Sequence, residues 1–289
     1  MKKILVPTDL TPIAELGLKL AAEIAKRSGA TVSLVNFTKH PFGQTFSSIG
    51  ETQPKADEEG NLYALQLLQA TKTRLQELTD RYSSDDVSID FSVVDDGFKN
   101  GIDEWLQQEN IDLIVMGTSG EESGKEVFAG NHTEQVIKIS SCPVLSVRDG
   151  FAIDQFDNMV VAVNVIEDGQ IATGLAVLGD LARCFNAHVH MVHVRDRTAV
   201  MNPALDTYFK QMAEAAALQH YFITILDAAD PAEAVIAFAR DVKAGLIAVI
   251  KNTKDGIFSM LSNHFSNRLV KEVGRPVFTF NLQNTAVKV

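Results

Sequence analysis

The sequence contains Met116-Gly117-Thr118-Ser119-Gly120 and, after an interval, Gly130-Asn131-His132-Thr133. Glycine lets a backbone approach a ligand closely and take up positive φ. A helix start adds free N–H groups and the positive end of the helix dipole. Such residues at such spacing could cradle a phosphate, and with it a nucleotide. An ordinary strand-to-helix connection would use the same glycines. Other constellations are weaker. His188 and His190 share one strand face and His193 takes the other. Two histidines at that spacing can hold a metal, but no nearby Cys, Asp or Glu completes a tetrahedral set, so ordinary strand histidines are expected. Asp85-Asp86 and Asp95-Asp96-Gly97 read as solvated turns. No Ser-His-Asp, Cys-His or paired-carboxylate arrangement is evident.

The glycine segment must be held by its neighbours. Ile111-Asp112-Leu113-Ile114-Val115 precedes it as a buried-strand pattern, and a helical pattern follows from about 131 to 140. The chain opens on a short strand, Lys3-Ile4-Leu5-Val6-Pro7-Thr8-Asp9. A helix over 12–28 follows, with Thr11 suited to the N-cap, Pro12 to the first helical position and Gly29 to the C-terminal cap. A second strand covers 31–37. The same order recurs at 158–164, 169–185 and 187–194. Later segments match as well: helices at 61–83 and 204–220, strands at 87–94 and 221–226, helices at 99–109 and 230–243. The second of these last two carries the capping box Asp230-Pro231-Ala232-Glu233. Strands at 112–116 and 245–250, helices near 131–141 and 262–273, and strands at 143–147 and 276–280 complete the pattern.

Alternating strands and helices indicate parallel βαβ units, and the nearly continuous apolar strands indicate sheets covered on both faces. The fold class is therefore α/β, with two tandem open five-stranded doubly wound sheets. The expected domains are 1–149 and 150–289. Ligands of such sheets sit beyond the carboxyl ends of the strands, where strand order reverses. The first and fourth strands, ending in Pro7-Thr8-Asp9 and Met116-Gly117-Thr118, form that point.

With 289 residues, 46% apolar and 22% charged, the chain has a globular composition. Its net charge of −11 argues against non-specific binding to nucleic acid or anionic membrane. No apolar run approaches the roughly 20 residues of a membrane span. The start has no signal-peptide layout, and Cys142 and Cys184 read as buried thiols, so a cytoplasmic location is expected.

With these residues in view, the chain resembles the universal stress protein family in its tandem two-domain form. The ATP-binding subgroup of that family carries Gly-x2-Gly-x9-Gly-(Ser/Thr) after the fourth strand. Gly117, Gly120 and Gly130 match in type and spacing, and Asn131 stands at the last position. Val6-Pro7-Thr8-Asp9 and Cys142-Pro143-Val144-Leu145 also resemble the family. The resemblance implies that Asp9 accepts from the adenine amino group, with Pro7 and Thr8 on the same wall. Phe37 would contact the base, and Met116 and Gly117 would lie under the ribose. Gly120, Gly130, Asn131 and His132 would present backbone N–H groups to the phosphates. Asp9 as a turn aspartate, Phe37 as a plain core aromatic and His132 as an exposed side chain are the alternatives. Glu121 and Glu122 would repel a triphosphate unless Mg²⁺ is bound, and Lys125 partly offsets them.

In the second half, Asp9 aligns with Asn164, Gly117 with Lys251, Gly120 with Lys254 and Gly130 with Ser262. Lysines would stand where a phosphate needs bare backbone, so this half is expected to be degenerate. The implied function is a stress-response sensor or regulator binding ATP in its first domain. A slow ATPase or adenylyl-transfer enzyme using the same pocket and a nucleotide-free dimerisation scaffold are the alternatives. In the family, last strands often pair across a domain interface. The 143–147 and 276–280 strands could do this within one chain, giving a pseudo-dimer. A protein partner and a homo-oligomer remain open.

Overall fold

The computed structural model describes residues 1–38, 58–118, 128–151, 156–163, 172–195, 205–251 and 274–281. The first half runs β1 (Lys3–Thr8), α1 (Pro12–Ser28), β2 (Thr31–Phe37), α2 (Glu58–Tyr82), β3 (Ile89–Val94), α3 (Gly97–Gln108), β4 (Leu113–Gly117), α4 (Phe128–Ile139) and β5 (Val144–Val147). The second runs β6 (Asn158–Ala162), α5 (Ala172–Phe185), β7 (His188–Arg195), α6 (Leu205–Ala215), β8 (Tyr221–Asp227), α7 (Pro231–Asp241), β9 (Leu246–Lys251) and β10 (Val277–Asn281). The expected helix at 262–273 lies outside the described residues.

The ten strands among the described residues join one sheet, ordered β3-β2-β1-β4-β5-β10-β9-β6-β7-β8. Every pairing is parallel except β5 with β10, where Leu145 stands opposite Phe278. The Ser146 hydroxyl donates across that seam to the Val277 carbonyl at 3.1 Å. The two expected sheets are thus halves of one continuous sheet, joined by their last strands. β1, β4 and β5 are buried almost throughout, because helices cover both faces.

On one face a single apolar cluster spans both halves, from Leu18 and Ile24 of α1 to Leu178 and Leu181 of α5. Arg27 lies over the Phe185 ring at 4.9 Å, and the Met1 ammonium pairs with Asp180. The other face carries two separate clusters. One packs α3 and α4 on β1, β2 and β4, and the other packs α7 on β6, β7 and β9.

Local signals explain most boundaries. The Thr11 side chain accepts from the Ala14 N–H, Pro12 opens α1, and Gly29 closes it at φ 72°. The Asp230 side chain accepts from the Ala232 and Glu233 N–H groups at the start of α7. Several boundaries differ from expectation, among them these. α6 ends at Ala215, and Ala217 turns the chain at φ 49°. β3 starts at Ile89, after a small turn closed by Ser84 and Val87. α4 starts at Phe128, upstream of the expected Asn131.

Candidate functional site

The lateral direction of the chain reverses between β1 and β4, which are adjacent strands. Their carboxyl ends, Thr8 and Gly117, border a cleft that is open to solvent. Pro7, Thr8, Asp9, Phe37, Met116, Gly117 and His132 all line it, so seven of the sequence-derived residues meet in one place. Gly120 lies outside the described residues. Gly130 and Asn131 belong to α4.

Asp9 sits in a tight turn. Its Oδ1 accepts from the Thr11 N–H at 3.0 Å and from the Thr11 hydroxyl at 2.6 Å. The Thr8 hydroxyl oxygen accepts from the Leu10 N–H at 3.0 Å. Between them Leu10 takes φ 65°, a left-handed conformation unusual for a branched residue. Side-chain bonds on both sides hold that strained residue in place, and such residues gather at binding sites. Asp9 is thus a turn aspartate through one oxygen, while Oδ2 carries no bond among the described residues.

Phe37, the last residue of β2, is both core and cleft wall. It is 8% exposed and meets Phe98 edge-on at 5.9 Å and Trp105 edge-on at 6.4 Å. Gly101 makes room for it, since a Cβ there would stand 2.8 Å from the Phe37 ring. His132 stacks on Phe98 with ring centres 4.0 Å apart and planes 16° apart. It is half-buried, in contrast to the exposed side chain weighed from sequence. Burial holds its pKa below the usual 6.5, and the neighbouring Asp9 carboxylate opposes that shift. The imidazole is therefore predominantly neutral at neutral pH.

The N–H groups expected to face phosphates also move. Because α4 begins at Phe128, the free first-turn amides belong to Phe128, Ala129 and Gly130. The Asn131 and His132 amides fall within the helix's own ladder. An N-capping side chain favours a helix start without enforcing it, and Ala129 is a strong helix former.

Gly117 carries a further constraint. A Cβ there would stand 1.7 Å from the Ile13 carbonyl oxygen, and one on Gly17 would stand 2.9 Å from the Gly117 nitrogen. The bare backbone of Gly117 thus lets the start of α1 lie directly on the end of β4. Among the described residues lining the cleft, Asp9 is the only carboxylate, and none is a lysine or arginine. The wall suits a flat, uncharged ring bearing an amino group. Phe98, Thr11, Ile13 and Ala14 line the cleft too and escaped the sequence reading. The spacing of Phe98 to Ile102 and Trp105 was the available signal for Phe98.

The second half does not repeat the arrangement. The bond from Asp112 N–H to Lys3 O recurs as Gly245 N–H to Asn158 O, and that from Ile114 N–H to Pro143 O as Ile247 N–H to Pro276 O. The place of Gly117 is therefore taken by buried Ile250, with Lys251 one residue further on, which corrects the sequence alignment. Asn164, Lys254 and Ser262 lie outside the described residues. Cys142 and Cys184 are not joined in a disulfide, and each is half-buried rather than buried. Among the described residues, no helix is long and apolar enough to cross a membrane.

Known proteins resemble this chain in sequence and in fold. The profile of the Universal stress protein family matches residues 1–148. Universal stress protein MJ0531 of Methanocaldococcus jannaschii is 29% identical over 153 residues, covering 51% of this chain and 82% of that protein. Universal stress protein MJ0577 of the same organism is 26% identical over 153 residues, covering 51% and 94%. The crystal structure of a universal stress protein from Archaeoglobus fulgidus matches with a TM-score of 0.66 at 16% identity, over 96% of each chain. That structural likeness extends the shared fold across both halves. With the profile spanning the half that holds the cleft and the fold common to both, the chain belongs to the universal stress protein family.

Proposed function

We propose that the first half binds an adenine nucleotide, ATP with Mg²⁺ in the first instance, and that the protein is a stress-response sensor or regulator. Residues 1–149 form the nucleotide-binding domain in this reading, and 150–289 form a degenerate partner domain. The observation that carries it is Asp9 at the strand switch point, with one oxygen held by Thr11 and the other left to accept from an exocyclic amine. Phe37, Phe98 and His132 supply flat surface for the base. The first-turn amides of α4 and the amide of Gly120 take the phosphates. A bound nucleotide regulates only if it binds two conformations differently.

The test exchanges one atom type. In Asp9→Asn the amide oxygen still accepts from Thr11, while an NH₂ group replaces Oδ2. The chain's single tryptophan, Trp105, meets Phe37 edge-on and so reports occupancy by fluorescence. Wild type is expected to prefer ATP over ITP by about tenfold or more, as sites built to bond one substrate group do. Asp9→Asn is expected to lose or reverse that preference with unchanged folding stability. An unchanged preference in the variant, or no adenine nucleotide binding at millimolar concentration, overturns the reading.

A further inference from the structure

At the amino ends of β7 and β8, on the face covered by α7, imidazoles gather away from the cleft. Val189 of β7 pairs with Tyr221 of β8, so the preceding residues, His188 and His220, stand side by side on neighbouring parallel strands. Their ring centres are 5.4 Å apart. Phe222, 51% exposed, stacks on His188 at 6.0 Å and on His190 at 5.0 Å. The second nitrogen of His190, Nε2, lies 3.3 Å from Asn158 Oδ1.

The first half shows what the fold alone requires here. The bond from Val189 N–H to His220 O has its counterpart in Val32 N–H to Ser88 O. Thr31 and Ser88 occupy the places of His188 and His220, and Ser33 and Asp90, joined at 2.6 Å, occupy those of His190 and Phe222. Small hydroxyl side chains and one aspartate occupy this corner of the sheet in the first half. The histidine pair and its aromatic backing are therefore additions peculiar to the second half.

We propose that His188 and His220 form a two-imidazole site for a borderline divalent cation, Zn²⁺ or Cu²⁺. Imidazole is a preferred ligand of both ions. With a metal–nitrogen bond of roughly 2.0–2.1 Å, two tetrahedral imidazole ligands have ring centres about 5 Å apart, close to the separation seen here. Phe222 limits the rotation of the His188 ring, the orienting role that outer groups play around metals. No three metal-ligating side chains converge among the described residues, so water fills the remaining positions and the ion exchanges freely.

The test uses the tag-free, chelator-stripped full chain, titrated with Zn²⁺ against a chromophoric competitor and with Cu²⁺ by electron paramagnetic resonance. The variants His188→Thr and His220→Ser install the residues that the first half carries at these places. Wild type is expected to bind one Zn²⁺ saturably in the micromolar range and to show nitrogen coupling from two imidazoles to Cu²⁺. Each variant is expected to weaken Zn²⁺ binding by about tenfold or more. His193→Ala should leave it unchanged, because His193 faces the opposite side, towards Phe209 and the Val163 carbonyl. Wild-type affinity in the double variant overturns the proposal, as does the absence of saturable binding below millimolar Zn²⁺.

Discussion

His132, His190 and His193 share one physical situation. Each is half-buried, and burial is the main cause that lowers its pKa below 6.5. For His132 the Asp9 carboxylate opposes the shift. For His190 the neighbouring His188 adds to it. For His193 the Val163 carbonyl opposes it and Arg195 adds to it. The unfolded chain takes up these protons near the ordinary value, whereas the folded chain takes them up only at lower pH. Stability is therefore complete above that value and declines as pH falls through it. The urea midpoint at about pH 5.5 is expected to lie below that at about pH 7.5. His132→Phe keeps a ring on Phe98 and should flatten part of the slope. A midpoint that rises towards acid would mean that the folded state holds these protons more tightly than the unfolded chain. The residue types of the cleft were legible in the sequence, but their environments were not. Asp9 stood at a strand end and Phe37 closed an apolar run. That one Asp9 oxygen is spent on Thr11, and that Phe98 covers His132, are contacts between distant segments with no local periodicity to announce them.

Gly117 belongs to the scale of elements, because what it controls is the seat of α1 on β4. Its backbone lies so close to Ile13 that any side chain must push the helix start away. Gly117→Ala is expected to cost about 2–4 kcal/mol by urea unfolding, in the range of overpacked interiors, and to displace the Thr11–Ala14 wall of the cleft. Gly29→Ala gives the contrast. That site has open space around it and only a positive φ of 72°, so about 1 kcal/mol is expected. Equal costs would mean that the close approach of α1 does not constrain position 117. The sequence singled out Gly117 for ligand approach, whereas the structure adds a packing reason invisible to a motif. Helix starts marked by Thr11-Pro12 and Asp230-Pro231 were legible because their capping bonds are local. The start of α4 was misplaced, since the helical pattern was read from about 131 whereas the helix begins at Phe128 and runs through Asn131.

For the whole molecule, the decisive contact is the antiparallel seam of β5 and β10. Leu145, Ser146, Phe278 and Thr279 are buried there, and the seam turns two edge strands into the centre of a ten-stranded sheet. The repeat made both strands visible in the sequence and the resemblance to the family suggested their pairing, while its antiparallel direction came only from the structure. Removing one partner exposes what the seam hides. A fragment of residues 1–150 keeps every strand pairing of the first half but leaves β5 with unpaired N–H and C=O groups beside Val144, Leu145 and Val147. It also strips the Leu178 and Leu181 side of the shared cluster from α1. An exposed apolar edge of this kind seeks another strand. A second copy of β5, laid antiparallel where β10 lay, is the nearest substitute because β10 occupies the matching place in the repeat. In sedimentation velocity the fragment is therefore expected to dimerise at micromolar concentration. Leu145→Lys in the fragment should return it to monomer or unfold it, because a charge would then lie in the seam. A fragment that stays monomeric and folded would show that the first half does not need its neighbour, and that the continuous sheet is an arrangement of two self-sufficient domains.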